Sequence, residues 1–183
     1  SGTDFTFDDF ASFFGIVPLF AWTCVGEVDV IAPVNGSADG FPIDKDRIFG
    51  PSGMSFADDR WEVRSAFVVK SVPRAPDYPY SKKVLYIDRQ TYEPLYSFAY
   101  DRKDALWKII WHTLRWSGDH EAAYPGWKGV PTPRDLYVVS DIIVNVQTGT
   151  GNRIEYWDNS GTAMSSRRQL RQLIEVSSLA QGH

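Results

Sequence analysis

Residues 61–116 constrain the fold most, because strand-like segments follow one another there with very short connections. In 61–70, apolar residues alternate with charged ones, as in a strand with one face exposed to water. The same type of pattern predicts strands over 83–88, 95–101 and 106–116. Parallel neighbours need a crossover of about a dozen residues or more, so this spacing indicates antiparallel strands that follow one another as a meander.

The flanking regions extend this meander at both ends. A strand is predicted over 22–31, and two more over 136–147 and 153–157, with 148–152 as the turn of a hairpin. Together with the central strands they predict a sheet of about seven strands. Aromatic residues make up 15% of the chain, which also favours a sheet because they fit its pleated surface.

Two short helices and two long loops complete the predicted architecture. A helix is expected from Asp8 to Gly15, capped by Asp8 or Asp9, and a closing helix is expected to begin at Ser165 or Ser166. Residues 32–60 and 117–134 carry glycine, proline and polar residues without a sustained period, which is typical of loops. We therefore predict a mainly β (α+β) fold, with a strongly curved antiparallel sheet and a short helix near each end.

Charge and hydropathy exclude two classes of partner or location. The formal net charge is −4, and a phosphate backbone would be repelled by it, so no nucleic-acid partner is expected. The basic stretch 166–171 is interpreted as the exposed side of a helix. No apolar run reaches the length of about 18 residues that a membrane-spanning helix requires.

The sequence contains no recognisable catalytic or metal-binding motif, so we expect neither an enzyme nor a bound cofactor. Cys24 lies in an apolar run and is interpreted as a buried, inert thiol. His112 lies within a predicted strand and is interpreted as a structural or half-exposed side chain. Residues 119–121 read Asp-His-Glu, but adjacent side chains rarely point at one ion, so no metal site is predicted.

A stripe of large apolar side chains is the most prominent candidate for a functional surface. On one interpretation it is ordinary core beneath the two helices. On the other it lines a cavity that binds an apolar ligand, as a strongly curved sheet with few helices would allow. The predicted ligand-binding residues are Trp61, Phe67, Tyr86, Phe98, Trp107, Ile109 and Trp111.

Three stretches of the chain resemble the bacterial family catalogued as domain of unknown function 1329. The third stretch is the most specific, because a long ordered string matches. Beyond residue 111 the resemblance is loose. The matching segments are Asp8-Asp9-Phe10 through Gly15 with Trp22-Thr23-Cys24-Val25-Gly26, then Trp61-Glu62-Val63-Arg64, and then Tyr80 through Asp88 with Tyr100-Asp101-Arg102 and Leu106-Trp107.

The resemblance implies a fold, a location and a class of ligand. The family is grouped with the lipoprotein carriers LolA and LolB, whose unclosed antiparallel β-barrel holds acyl chains in an apolar cavity. Its members are longer exported proteins of Gram-negative bacteria, so residues 1–183 are expected to form a single domain that corresponds to their C-terminal portion. The expected location is the periplasm or the periphery of the outer membrane. The family has no established catalytic residues, so none is carried over.

Three functions remain open at this point, in order of preference. The first is a non-enzymatic binding or carrier protein for a lipid or other hydrophobic molecule, with the loops 32–60 and 117–134 as lids. The second is a structural or interaction module, which forms a homodimer or docks on a membrane permease through strand edges and an apolar face. The third is an enzyme acting on a hydrophobic substrate, which would require a coupled acid and base in a cleft.

Overall fold

The computed structural model describes residues 6–36, 59–116 and 136–155. Within these ranges it contains seven β-strands and two short 3-10 helices, at Phe7–Ser12 and Val17–Leu19. The strands are β1 (Phe20–Asn35), β2 (Arg60–Pro73), β3 (Lys82–Asp88), β4 (Pro94–Tyr100), β5 (Leu106–Trp116), β6 (Leu136–Asn145) and β7 (Thr150–Glu155).

The seven strands form one antiparallel sheet in the order β1-β2-β3-β4-β5-β6-β7. Each strand pairs with the next along the chain, and the connections from β2 to β5 and from β6 to β7 are short, as antiparallel neighbours allow. Since β1 and β7 are the two edges, the sheet is not closed in the part of the chain that the structure describes. The predicted meander and the mainly β class are therefore confirmed.

The sheet is strongly curved, and its hydrophobic core lies where the C-terminal half of β1 curls towards β5. The Tyr96 hydroxyl of β4 donates to the carbonyl oxygen of Ile31 at 2.5 Å. The Gly36 amide donates to the Leu114 carbonyl of β5 at 2.9 Å. A Cβ at Gly36 would lie 2.4 Å from Cγ2 of Thr113, so only glycine fits this approach without rearrangement. The core cluster consists of Ala32, Val34, Ala66, Leu95, Leu114 and Leu136.

A β-bulge in β5 interrupts the alternation of side chains. Ala99 pairs with Lys108, but the neighbouring Tyr100 pairs with Leu106, which leaves Trp107 as the extra residue. An extra residue of this kind bends its strand and changes the direction of its side chain. The position of Trp107 therefore cannot be read from the alternation of the strand.

The N-terminal segment differs from the predicted helix of Asp8 to Gly15. It forms a 3-10 helix over Phe7–Ser12 whose N-cap is Thr6, with a capping box between Thr6 and Asp9. Inside it, Phe10 has an extended ψ of 137° and Ala11 a left-handed φ of 47°, so a regular α-helix does not form. Neither aspartate is the predicted N-cap: Asp9 lies at the third position of the helix and accepts from the Thr6 amide, and both aspartates also pair with lysines of the sheet.

The final hairpin is confirmed, but its turn lies earlier than 148–152. The turn spans 146–149 because the Asn145 side chain accepts the amides of Gln147 and Thr148 at 3.0 and 3.2 Å, which starts the reversal at the end of β6. Gly149 completes the turn with a φ of 70°, a conformation that glycine adopts without strain.

The predicted burial of Cys24 is wrong. Its thiol is exposed, because Cys24 lies on β1, an edge strand that pairs only with β2. An apolar sequence context therefore did not imply burial at this position.

Several predicted features lie outside the described residues. They are the closing helix from Ser165 or Ser166, the basic stretch 166–171, the Asp-His-Glu segment 119–121, the loop 117–134 and most of the loop 32–60. The first four residues of the predicted loop 32–60 belong to β1. Neither 3-10 helix approaches the length and apolarity that a membrane-crossing helix would need.

Candidate functional site

One side of the sheet presents a continuous apolar surface, which we call the aromatic face. Paired residues of adjacent strands point to the same side. Tyr86 pairs with Tyr96 and Tyr96 with Trp111, while Phe98 pairs with Ile109. The rings of Tyr86 and Phe98 lie 5.4 Å apart in an edge-to-face arrangement. The members of the aromatic face are Val84, Tyr86, Tyr96, Phe98, Ile109 and Trp111, and all six are partly exposed.

The aromatic face continues into the neighbouring strands. Val68 of β2 pairs with Tyr86, and in β6 Ile142 pairs with Trp111 and Val144 with Ile109. The apolar rows therefore cross five strands, or about 20 Å at the usual strand spacing. The predicted site residues Tyr86, Phe98, Ile109 and Trp111 are thus brought together.

The other three predicted site residues do not lie on this surface, so the expectation of a single side was wrong for them. Phe67 points to the opposite side, where its ring stacks on Tyr92 at 6.4 Å. Trp107, the bulge residue, lies 5.4 Å from the ring of Tyr80. Trp61 alternates in phase with Phe67 along β2 and is 44% exposed. Whether any of the seven binds a ligand stays a prediction.

The opposite side of the sheet is crossed by residues 6–19, which we call the strap, and we call this side the strap face. Asp9 of the strap is completely buried. Its carboxylate accepts from Nζ of Lys108 at 2.8 Å and from the Tyr80 hydroxyl at 2.7 Å, and it lies 3.2 Å from Nζ of Lys83. These contacts fix the strap to β3, β5 and the β2–β3 connection.

The buried charges of this cluster balance. Lys83 also pairs with Asp8 at 3.1 Å and donates to the Asp8 carbonyl oxygen at 2.6 Å. Two carboxylates thus face two ammonium groups, since Asp9 also pairs with Lys108. Burying a charge is tolerable when it is paired and hydrogen-bonded, as each of these is. We call these four side chains, with the Tyr80 hydroxyl, the Asp9 cluster.

The cluster changes the ionisation of its members. Burial alone would raise the pKa of Asp9, but the charge of Lys83 and the hydrogen bonds from Lys108, Tyr80 and Thr6 outweigh it and hold the pKa below its usual range. The pKa of Tyr80 is raised, first by burial and then by the charge of Asp9. Asp9 therefore carries its charge in the folded protein, and Tyr80 keeps its proton.

A second buried polar group lies beside the Asp9 cluster. Oγ of Ser12, in the strap, is 2.5 Å from Nε2 of His112 in β5. Nδ1 of the same imidazole is hydrogen-bonded to Oδ1 of Asp141 in β6. All three side chains are buried, with exposures of 0%, 1% and 0% respectively. The arrangement is a continuous Ser-His-Asp series of hydrogen bonds between the strap and two strands.

The strap carries many large apolar side chains, and several of them are exposed. The ring of Phe13 packs edge-to-face against Phe20 at 5.0 Å and Trp22 at 4.9 Å. Beside this contact the strap presents a set of large apolar side chains, each more than half exposed. They are Phe7, Phe14, Ile16, Val17 and Leu19.

Two cavities of the described structure are respectively small and open. One of about 250 Å³ lies under the curl of β1, between apolar Trp116 and Leu136 and polar Arg64. It is smaller than typical ligand pockets. A wider depression of about 510 Å³ opens beside Trp107 and the polar turn residue Gln147. An extended apolar ligand therefore fits the open aromatic face better than either cavity. Nowhere in 6–36, 59–116 or 136–155 do three metal-ligating side chains converge.

The Asp9 cluster and the contact between Ser12 and His112 were not predicted from the sequence. The signal for the cluster in the sequence was that two lysines alternate in step with apolar residues of their strands. Lys83 alternates in step with Leu85, and Lys108 with Ile110, and all four are buried. A lysine in phase with buried leucine or isoleucine requires a buried anion, but the sequence does not show which carboxylate supplies it.

Comparison with known proteins gives a family and a fold. The sequence model of the family described as protein of unknown function (DUF1329) matches residues 1–177. A crystal structure from Vibrio parahaemolyticus, provisionally named an outer membrane lipoprotein-sorting protein domain, is 17% identical, with a TM-score of 0.50 over 88% of this chain and 50% of its own. A DUF1329 family protein from Desulfovibrio piger is also 17% identical, with a TM-score of 0.48 over 89% and 48%.

The chain thus spans about half the length of these two solved proteins. No curated protein matches the sequence. At this level of identity the likeness to the Vibrio structure is one of fold, and it agrees with the expected unclosed antiparallel sheet.

Proposed function

The chain belongs to the DUF1329 family, and from this premise we propose that it is a carrier that holds a lipid or another hydrophobic molecule on its aromatic face. The observation that carries the proposal is the register of β3, β4 and β5. It aligns Tyr86, Phe98 and Trp111 on one side of the sheet, where each remains partly exposed. An apolar surface of this extent, left partly open to water, is a recognised mark of a binding site.

The energetics of such a site are favourable. Burial of apolar surface contributes about 25 cal/mol per Å² removed from water. A ligand that covers a few hundred Å² would therefore gain several kcal/mol before the entropic cost of binding. The aromatic face extends about 20 Å across the sheet, which is enough surface for an extended acyl chain or a flat polycyclic molecule.

The cellular setting forms part of the same proposal. The Vibrio structure is named for the sorting of outer membrane lipoproteins, and we place the present protein likewise in the periplasm or at the periphery of the outer membrane of a Gram-negative bacterium. A permease partner would receive or supply the ligand there.

A matched pair of variants tests the binding surface. Phe98 lies on the aromatic face and Phe67 on the strap face, and both are partly exposed residues of the same sheet. We expect Phe98→Ala to weaken binding of a fluorescent fatty acid about tenfold or more, because it removes apolar contact area, and Phe67→Ala to leave the affinity unchanged. Equal affinities in the two variants would refute the assignment of the face.

A second experiment identifies the ligand. The protein would be purified without detergent, weighed intact by native mass spectrometry, and extracted with organic solvent. The expected result is a stoichiometric lipid or other hydrophobic molecule that is reduced in Trp111→Ala. A consistently empty protein that also fails to bind fatty acid would count against a carrier.

The exposed apolar side chains of the strap favour a second candidate function, an interaction module. Five large apolar side chains between Phe7 and Leu19 are more than half exposed, and such patches often mark protein contacts. A homodimer in size-exclusion chromatography with light scattering, abolished by Leu19→Glu and Ile16→Glu, would support this function. A monomer that binds fatty acid would support the carrier instead.

A further inference from the structure

The Ser12–His112–Asp141 series has the hydrogen-bond pattern of a nucleophilic active site. We propose that Ser12 is a nucleophile that accepts the acyl group of an ester, with His112 as its general base and Asp141 as the residue that orients the imidazole. This activity goes beyond holding a ligand and does not depend on the aromatic face.

The pattern meets the geometric requirements for an activated serine. The nucleophile must be hydrogen-bonded to a base, and the base to an orienting group. Oγ of Ser12 lies 2.5 Å from Nε2 of His112, and the Asp141 carboxylate is bonded to the other ring nitrogen. A carboxylate at Nδ1 keeps the proton on that nitrogen, which leaves the Nε2 lone pair to receive the serine proton. Such sites are recognised by geometry, not by their order in the chain.

The backbone at the serine provides an independent observation. Ala11 and Ser12 have left-handed φ values of 47° and 64°, although neither is a glycine. Each such residue costs on the order of 1 kcal/mol or more, and strain of this kind concentrates at functional sites.

A cation lies next to the proposed nucleophile. Nζ of Lys83 is 3.3 Å from the carbonyl oxygen of Ser12, and its side chain is only 3% exposed. Its charge is already paired with Asp8 and Asp9, so this contact holds the backbone of Ser12 in position. Lys83 thus contacts both the aspartates of the Asp9 cluster and the backbone of Ser12.

The surroundings restrict both the substrate and the conditions. Ser12 is fully buried, so the ester reaches it only when the strap after Ser12 is displaced. That part of the strap is held by the contacts of Phe13 with Phe20 and Trp22, and the residues that follow it are exposed and apolar. An acyl chain competes for this aromatic contact whereas a charged substrate does not. The substrate class is therefore an ester of a long acyl chain, presented in a micelle or at a membrane surface.

The reaction balances without a cofactor. Oγ of Ser12 attacks the ester carbonyl carbon, and its proton passes to Nε2 of His112. The bond between the carbonyl carbon and the alcohol oxygen breaks, and the alcohol leaves with the proton from His112. Water then attacks the acyl-serine by the same proton path, which releases the carboxylic acid and restores the Ser12 hydroxyl.

A fluorophosphonate probe tests the proposal, because it reacts with activated serines and leaves a mass at the modified residue. The full chain would be treated with the probe with and without non-ionic detergent micelles, and the site mapped by peptide mass spectrometry. We expect labelling at Ser12 that increases in the presence of micelles. His112→Ala is expected to slow it by at least about 100-fold, as loss of a general base does, and Asp141→Asn by a smaller factor.

Controls separate activation from exposure and from unfolding. Ser65 is exposed, and its hydroxyl donates to the Asp29 carboxylate and not to an imidazole, so it should stay unlabelled in the same sample. Ser12→Cys keeps a side chain of similar size, and its retained thermal unfolding with loss of phosphonylation would show that the fold does not account for the signal. A folded protein that shows no label at Ser12, with or without micelles, would overturn the proposal.

Hydrolysis of p-nitrophenyl decanoate gives the second readout. The wild-type protein should release nitrophenol with micelles present, and Ser12→Ala should not. Fatty-acid binding by the Phe98→Ala and Phe67→Ala pair is scored separately. A protein that binds fatty acid but leaves Ser12 unmodified defeats the acyl-transfer site alone, and one that is labelled but binds no fatty acid defeats the carrier alone.

Discussion

The two faces of the sheet are built from alternating residues of the same strands, yet they differ in which kinds of side chain are buried. On the strap face, Lys83, Lys108 and His112 are buried and paired. On the aromatic face, their neighbours Val84 and Ile109 are partly exposed. This reverses the usual distribution of charged and apolar side chains. The difference shows that burial in this sheet follows what covers each face, not the polarity of its residues.

The strap explains why the charged side chains beneath it are buried. A buried ion pair contributes little net stability, because desolvation offsets most of the Coulomb attraction. It does penalise every arrangement that leaves one partner unpaired. The Asp9 cluster therefore favours one docked position of the strap over others.

Replacing Lys108 should have the largest effect on this contrast. Lys108→Met leaves the buried Asp9 carboxylate without its 2.8 Å partner, and loss of one member of a buried pair costs about 3–5 kcal/mol. Urea unfolding would measure the change. Lys82→Met is the matched control, because Lys82 pairs with the exposed Asp104 and should cost at most about 1 kcal/mol.

A double variant sharpens the same measurement. Asp9→Asn combined with Lys108→Met leaves Asp8 and Lys83 as a balanced pair. We expect the double variant to lose clearly less stability than the sum of the two single variants. Additive losses would mean that the two side chains do not act as a pair.

Removing the Tyr80 hydroxyl should have an intermediate effect. This hydroxyl donates to Asp9 at 2.7 Å and lies 2.7 Å from Nζ of Lys108. Hydrogen bonds to charged groups contribute about 1.5–3 kcal/mol, which is the loss expected for Tyr80→Phe in chemical denaturation. Tyr92→Phe, at a tyrosine that is 71% exposed, should stay within about 0.5 kcal/mol of the wild type.

A smaller effect is expected in the pH dependence of the free energy of unfolding, to which the buried Asp9 contributes. The pKa of Asp9 is lowered in the folded protein, whereas an unfolded aspartate titrates near pH 4, at about 3.9. Its stabilising contribution is therefore present above that pH and is lost as the pH falls through the folded value. The free energy of unfolding, measured by urea titration between pH 6 and 3, should fall towards acid. The slope should be smaller in Asp9→Asn, though not zero, because the pKa of Asp88 is also lowered. An identical slope in the variant would contradict this account.

The smallest effect is expected at Cys24. Its thiol is exposed, so Cys24→Ser should change stability by no more than about 0.5 kcal/mol. A maleimide reagent should modify the native wild-type protein at the rate of a model thiol. Protection of the thiol until the protein unfolds would show that β1 is covered at this point.

The meander was predictable because strand pattern and connection length are local properties. The residues 83–88 and 106–116 lie almost where the structure has β3 and β5. Four of the seven predicted site residues share a face for the same reason, since alternation carries through regular pairing. Trp107 was misplaced because a β-bulge breaks alternation, and a bulge leaves no mark in the pattern of apolar residues.

The strap and its polar clusters could not be predicted, because their contacts join residues far apart in sequence. Ser12 meets His112 across 100 positions, and Asp9 meets Lys108 across 99. The local sequence around Asp9 indicates a helix cap. Only the docked strap shows that the carboxylate instead compensates two buried lysines.

The close approach at Gly36 has a consequence for the order of folding. Each hairpin of the meander joins neighbours in sequence, whereas the Gly36–Leu114 hydrogen bond closes the longest loop of the sheet, and closing a long loop is slow because of its entropy. We therefore expect β2 to β5 to assemble first and the end of β1 to dock afterwards. Gly36→Ala should then act mainly by accelerating unfolding, since the contact that it disrupts forms late. The glycine sets how long the folded sheet lasts, not how quickly it first forms.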